Sequence, residues 1–154
     1  APGRPSTDPR PCPRRPARAD EEDDDVHADL RTTLDALLRS GSTTNPALAR
    51  AFYSDVLGFT LIRDEPTALV FSLYGAMLRV SKVESLTPQP FAVLGWTVDD
   101  LVTEIVPLAQ RGVTFERYPS LTHDDDGVAR FPNGDRVVWF KDPDGNVLSV
   151  TQLG

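Results

Sequence analysis

Apolar and polar positions are most sharply patterned near the C-terminal end, where the runs Val137–Lys141 and Val147–Gln152 flank Asp142-Pro143-Asp144-Gly145. Rich in β-branched and aromatic residues, the two runs predict paired strands. Pro143 presets φ for the second turn position, Asp144 tolerates the bridge region, and Gly145 supplies the positive φ that reverses the chain. Helical patterns lie upstream. Asn45-Pro46 joins an N-cap side chain to a proline at the first helical position, predicting a helix through LARAFYSDVL to a terminal Gly58. Starting at Asp99, DDLVTEIVPLAQ repeats that plan and ends at Gly112.

The spacing of the two units is regular. Gly58 and Gly112 stand 54 residues apart, as do Asn45 and Asp99, and each glycine precedes an apolar-Thr-apolar start, Phe59-Thr60-Leu61 and Val113-Thr114-Phe115. Gly75–Val80 overlies Gly145–Val150 at an offset of 70, so 16 additional residues enter the loop around His123 to Arg136. Predicted strands are Thr60–Asp64, Ala68–Tyr74 and Ala76–Val83 in the first half, and Phe91–Val98, Thr114–Tyr118, Val137–Lys141 and Val147–Gln152 in the second. Each half reads as strand, helix, strand, strand, strand, and the repeat itself supports a two-module fold. The domain is predicted to span residues 28–154, with modules at about 37–84 and 91–153.

Two segments depart from the plan. Carried back by 54 residues, Phe91–Val98 lands on Leu37–Thr44, a Ser- and Gly-rich stretch that is a poor strand by propensity. Either the first strand is irregular or missing, or Ala28–Ser40 forms a helix with Leu30, Leu34, Leu37 and Leu38 on one face. Pro107 lies deep in the second helix and is expected to kink it or end it early, at a cost on the order of 3 kcal/mol.

The DPDGN turn followed by a terminal strand, and the duplicated βαβββ plan, resemble the vicinal-oxygen-chelate superfamily of glyoxalases, bleomycin-resistance proteins and extradiol dioxygenases. The resemblance covers about Ser42 to Leu153. It implies an α+β fold of two tandem βαβββ modules forming curved half-barrel sheets. It also implies a homodimer, because open half-barrels expose edge strands that family members commonly cover by pairing.

Charge narrows the partners. The net charge is −7; residues 1–27 hold five Arg and seven acids, leaving a moderately acidic body without Lys or Arg clusters, so nucleic acid is not expected as a partner. Six of the 14 prolines fall in residues 1–19 and DEEDDD occupies 20–25, which predicts a disordered tail over 1–27 serving as a linker or an interaction arm. Cys12 is the single cysteine, so no intramolecular disulfide and no Cys-based zinc site can form, and a reducing, cytoplasmic setting is expected. No run approaches the roughly 18 apolar residues of a membrane span.

The resemblance raises the question of a metal. Metal-dependent members hold a divalent cation with His and Glu side chains from facing strands, and the register of the duplicated motifs puts the equivalents at Arg39, Arg79, Val93 and Ser149. None is a usual ligand, and two are cationic, so no metal and no other cofactor is expected; a divalent metal in a nonstandard site is the alternative. His123 with Asp124, Asp125 and Asp126 could form an opportunistic cation site, or His123 could act as an acid or base, although HDDDG also reads as a solvated loop.

Alternation makes Phe71, Leu73, Arg79, Trp96, Trp139 and Ser149 candidates for lining a ligand pocket. The aromatics suit a core or dimer interface equally well. Arg79, inside the apolar strand AMLRVSKV, either faces solvent or becomes an anion hook. The preferred expectation is a metal-free module binding a drug or metabolite in the sheet concavity, with no bond broken; an acidic body would favour cationic ligands. The alternatives are a glyoxalase-like lyase, isomerase or dioxygenase, and a scaffold whose sheet faces serve only association.

Overall fold

The computed structural model describes residues 40–154. Two four-stranded mixed sheets carry the fold, each built on the same order. The first contains β1 (Ser40–Thr43), β2 (Thr60–Glu65), β3 (Ala68–Leu73) and β4 (Ala76–Lys82), arranged β1-β4-β3-β2. The second contains β5 (Ala92–Thr97), β6 (Ala129–Arg130), β7 (Arg136–Lys141) and β8 (Val147–Gln152), arranged β5-β8-β7-β6. In each sheet the first and last strands pair in parallel and the others antiparallel. The expected tandem βαβββ architecture is therefore present.

The poor first strand exists. Ser40–Thr43 runs parallel to β4, with Ser40 opposite Arg79 and Thr43 opposite Lys82. This Ser- and Gly-rich stretch holds its position because side chains from the other module fix it: Asn146 Nδ2 donates to the Ser42 carbonyl at 3.0 Å, and the Thr44 amide donates to Asp144 Oδ1 at 2.8 Å. The proposed tail over 1–27 and the helical alternative over 28–40, Arg39 included, lie outside the described residues except for Ser40, which is in β1.

Helix α1 (Pro46–Ala51) starts at Asn45, whose side chain accepts from the Leu48 amide at 3.2 Å. A π turn over Phe52–Val56 follows, with the Leu57 amide reaching back to the Phe52 carbonyl. Phe52 and Tyr53 both enter the core, Phe52 against Phe140 and Tyr53 against Phe71 and Phe59. Helix α2 (Leu101–Gln110) is capped by Asp100, whose side chain accepts from the Val102 amide and the Thr103 hydroxyl. The cap is thus one residue later than Asp99. Pro107 does not end α2, which continues to Gln110 while burying Leu101, Ile105 and Leu108. Tertiary burial of that stripe outweighs the missing N–H.

One hydrophobic core joins both modules. Phe71, Leu78, Leu148 and Phe140 are fully buried, and Phe59, just past the positive-φ Gly58, meets Trp96 edge-on at 5.5 Å. Successive strand residues point to opposite faces, so these residues define the helix-covered face and their neighbours an open face.

The predicted strand Thr114–Tyr118 does not form. The Glu116 amide donates to the Trp139 carbonyl at 2.7 Å, and the outer edge of β7 is otherwise paired by Ala129–Arg130. Two short segments therefore share an edge that one strand was expected to fill. Lengthening the loop by 16 residues lets the chain return to β7 a second time, and the later segment takes the ladder.

Candidate functional site

The alternation behind the pocket candidates separates them onto two faces. Phe71, Leu73 and Trp96 are 0%, 2% and 7% exposed and belong to the core under the helices. Arg79, Trp139 and Ser149 are on the open face, Arg79 on the first sheet and the other two on the second. Three of the six candidates thus pack in the interior and do not line the concavity. Alternation shows that a strand has two faces, but only the packing of α1 and α2 decides which is covered.

On the second sheet Gly95, Ser149 and Trp139 form one row across β5, β8 and β7. A bulge in β5 creates it: Ala92 pairs with Val147 and Leu94 with Leu148, leaving Val93 as the additional residue. Gly95, not Val93, therefore stands beside Ser149. A Cβ on Gly95 would lie 2.5 Å from Ser149 Oγ, so the missing side chain makes room for that hydroxyl. On the first sheet Ser40 stands beside Arg79. Arg79 Nη1 donates to Ser81 Oγ at 2.8 Å and Nη2 to Thr67 Oγ1 at 3.3 Å.

Ser40, Arg79, Gly95 and Ser149 offer two hydroxyls, a guanidinium and a bare backbone. A divalent cation of the superfamily type requires imidazole and carboxylate donors, so this set does not fit one. Among the described residues no group of three or more His, Cys, Asp or Glu side chains converges elsewhere.

His123 is drawn into the open-face surroundings by its loop. Nε2 accepts the Tyr118 amide hydrogen at 3.0 Å, and Nδ1 lies 3.0 Å from the Gly127 carbonyl. The two contacts together require the neutral tautomer with hydrogen on Nδ1. Both ring nitrogens are thus engaged by backbone, which leaves neither available for proton transfer in this conformation. Asp124 Oδ1 accepts from the Asp126 and Val128 amides, so one carboxylate oxygen of the HDDDG run organises the turn. Asp125 and Asp126 are exposed.

The His123 clamp builds an aromatic wall that sequence reasoning missed. Tyr118 stands edge-on to Trp139 with centroids 5.4 Å apart, and His123 lies 6.2 Å from Trp139. Burial, with the nearby Glu116 carboxylate adding to it, pushes the Tyr118 phenol above its ordinary range, so it remains protonated at neutral pH. Tyr118 sits in a segment first read as a strand, and its signal as a site residue was the aromatic opposite Trp139 on the neighbouring edge. Along β7 and β8 the row continues to Lys141 opposite Val147. Glu116 Oε1 stands 3.7 Å from Lys141 Nζ.

The DPDGN turn holds the modules together behind this face. Tyr53 donates to Asp142 Oδ2 at 2.9 Å, and the Asn146 amide side chain bridges the same oxygen and the Ser42 carbonyl. Burial pushes the Asp142 carboxyl above the usual carboxylate range, against the lowering effect of the hydrogen bonds from Asn146 and Tyr53. Burial also pushes Asp144 upward, but hydrogen bonds from Thr43 and Thr44 outweigh it and hold that carboxyl below the usual range. Both acids carry structure here. Among the described residues no helix is long and apolar enough to cross a membrane.

The arrangement matches known proteins. The family model described as Glyoxalase/Bleomycin resistance protein/Dioxygenase superfamily matches residues 42–150. A glyoxalase/bleomycin resistance protein/dioxygenase from Alicyclobacillus acidocaldarius is 20% identical with a TM-score of 0.58, over 74% of this chain and 87% of that one. A lactoylglutathione lyase from Agrobacterium tumefaciens is also 20% identical, with a TM-score of 0.57, over 73% and 89%. TnmS3, an antibiotic binding protein from Streptomyces sp. CB03234, is 26% identical with a TM-score of 0.58, over 75% and 92%. The search of curated proteins finds no match. With 109 consecutive residues matching the family model and both sheets in the expected order, the chain belongs to the glyoxalase/bleomycin resistance protein/dioxygenase superfamily.

Proposed function

We propose that this chain is a binding protein that holds a small organic molecule on the open face of its sheets without a metal ion and without breaking a bond. The observation that carries the reading is the exchange of donor types on that face. Where a metal-dependent member needs imidazole and carboxylate, this chain has Ser40, Arg79, Gly95 and Ser149, and beside them an aromatic wall of Trp139, Tyr118 and His123. Flat rings and single hydroxyls bind and orient a ligand well, whereas they supply no Lewis acid. The likeness to an antibiotic binding protein agrees with this direction.

A homodimer is part of the proposal. The outer edge of β2 is unpaired among the described residues, and the bulged Ile62 beside it is 49% exposed, features that a second copy would cover.

Elemental analysis of freshly purified protein, coupled to thermal melting with a panel of drugs and metabolites, tests the reading. Substoichiometric zinc, nickel, manganese, iron and cobalt together with a ligand-dependent rise in Tm supports it. One tightly held metal per chain, with turnover abolished by a chelator, overturns it in favour of a glyoxalase-like lyase, isomerase or dioxygenase using a nonstandard site.

A further inference from the structure

We propose that a cleft on the open face of the second sheet selects a flat, uncharged aromatic molecule through an amide-type edge, an inference that rests on the small-molecule reading above. The cleft has a volume of about 350 Å³, within the range of small-ligand sites. Val147 and Lys141, opposed in the β7–β8 ladder, both line it. Pro88 and Pro90, on the segment leading into β5, line it together with Glu116 and Tyr118.

Pro88, Glu116 and Tyr118 are held in place by contacts within the chain. Pro88 packs against the turn so closely that a Cβ on Gly145 would meet its Cγ at 3.2 Å. The Glu116–Tyr118 segment is pinned by the Glu116 amide on the Trp139 carbonyl, the Tyr118 amide on His123 Nε2, and the Tyr118 ring against Trp139. A preorganised slot lowers the entropy lost on binding. Pyrrolidine rings and a phenol ring in one lining suit contact with an aromatic plane.

The polar content then sets the class. Lys141 Nζ and Glu116 Oε1 are 3.7 Å apart and partly solvated, so their mutual attraction is small and little is lost when a ligand comes between them. A carboxylate on the ligand gains from Lys141 but is repelled by Glu116. An ammonium group meets the reverse. A neutral amide or lactam presents N–H and C=O side by side, and can donate to the carboxylate while accepting from the ammonium.

Quenching of tryptophan fluorescence by three near-isosteric probes tests this on the full chain: 2-naphthamide, 2-naphthoate and 2-naphthylmethylammonium. The amide is expected to bind at least about tenfold more tightly than either ion, equivalent to roughly 1.4 kcal/mol. Glu116→Gln should raise naphthoate affinity and Lys141→Gln should raise that of the ammonium probe, while Tyr118→Leu weakens all three. Thermal melts of each variant separate lost binding from lost folding, and the two charge variants retain the wall if Tyr118→Leu does not fold. An ion binding most tightly to the wild-type chain, or affinities indifferent to both charge variants, overturns the amide edge and leaves small-molecule binding standing. No saturable quenching by any probe removes the cleft as a site, and the proposed function is then judged by its own ligand panel.

Discussion

Tyr53 and Asp142, 89 residues apart in the chain, meet in the interior through a 2.9 Å hydrogen bond that ties the π turn of the first module to the closing turn of the second. The phenol is driven well above its ordinary range, first by burial and then by the Asp142 carboxylate, so it stays a donor throughout the physiological range. Tyr53→Phe keeps the ring contacts with Phe71 and Phe59 and removes the donor alone. The expected cost is about 1.5–3 kcal/mol, the usual worth of a hydrogen bond to a charged group. Urea unfolding followed by circular dichroism measures it, and a loss below about 0.5 kcal/mol would show that Asn146 alone satisfies the carboxylate.

Asp144 gives the turn a pH dependence of definite sign. Its folded carboxyl titrates below the usual carboxylate range because Thr43 and Thr44 donate to it. A depressed folded value means that its stabilisation is present above the unfolded value near 3.9 and is lost as pH falls through the folded value. Asp144→Asn should therefore cost about 1–2 kcal/mol at pH 7 and progressively less toward pH 3. Asp142 acts oppositely: its folded value is raised, so its contribution is greatest at low pH and is lost as pH rises through that value. Denaturant midpoints of wild type and Asp144→Asn across this range should converge on acidification; parallel curves would refute the assignment.

Much of this was legible in the sequence, and the exceptions share a cause. Periodicity located β2, β3, β4, β7 and β8 almost to the residue because each carries apolar residues at the spacing its pleat requires. The repeat of 54 residues recovered two modules from one chain. What local pattern cannot carry is an interaction supplied from far away. Ser40–Thr43 becomes a strand because Asn146 and Asp144 reach it from the other module. The bulge at Val93 shifts the register by one, so that Gly95 takes the place beside Ser149 that an unbulged strand would give to Leu94. Phe71, Leu73 and Trp96 fell on the wrong face because helix placement decides which side of a sheet is interior.

The turn between β3 and β4 is locally strained. Tyr74 has φ 46° and Gly75 φ 83°, so both central residues of the two-residue connection occupy the left-handed region. That geometry suits Asn-Gly, whereas a bulky residue pays a steric penalty of about 1–2 kcal/mol. Tyr74 is largely exposed, and its hydroxyl contact with Glu104, at 3.3 Å, is long. Tyr74→Asn is expected to stabilise the domain by about 1 kcal/mol and raise Tm by several degrees. Differential scanning calorimetry would show it, and a lower Tm would mean that the Glu104 contact outweighs the backbone strain.

Gly95 and Ser149 provide the sharpest test of the open face, because their relationship is steric and local. A methyl group at position 95 would lie 2.5 Å from Ser149 Oγ and 3.4 Å from the Ser149 carbonyl oxygen. The hydroxyl must rotate away or β5 must shift, so Gly95→Ala is expected to cost about 1–3 kcal/mol. Ser149→Ala removes only the offending oxygen, leaving its Cβ 3.8 Å from the new methyl. On its own it should change stability by less than about 0.5 kcal/mol, since no protein partner among the described residues bonds that hydroxyl. The double variant should then recover most of the loss, giving a coupling of roughly 1–2 kcal/mol in a double-mutant cycle. Additive losses would mean that the backbone carbonyl, not the hydroxyl, sets the close approach. In that case Ser149 would be free to rotate, and its place on the open face would no longer depend on Gly95.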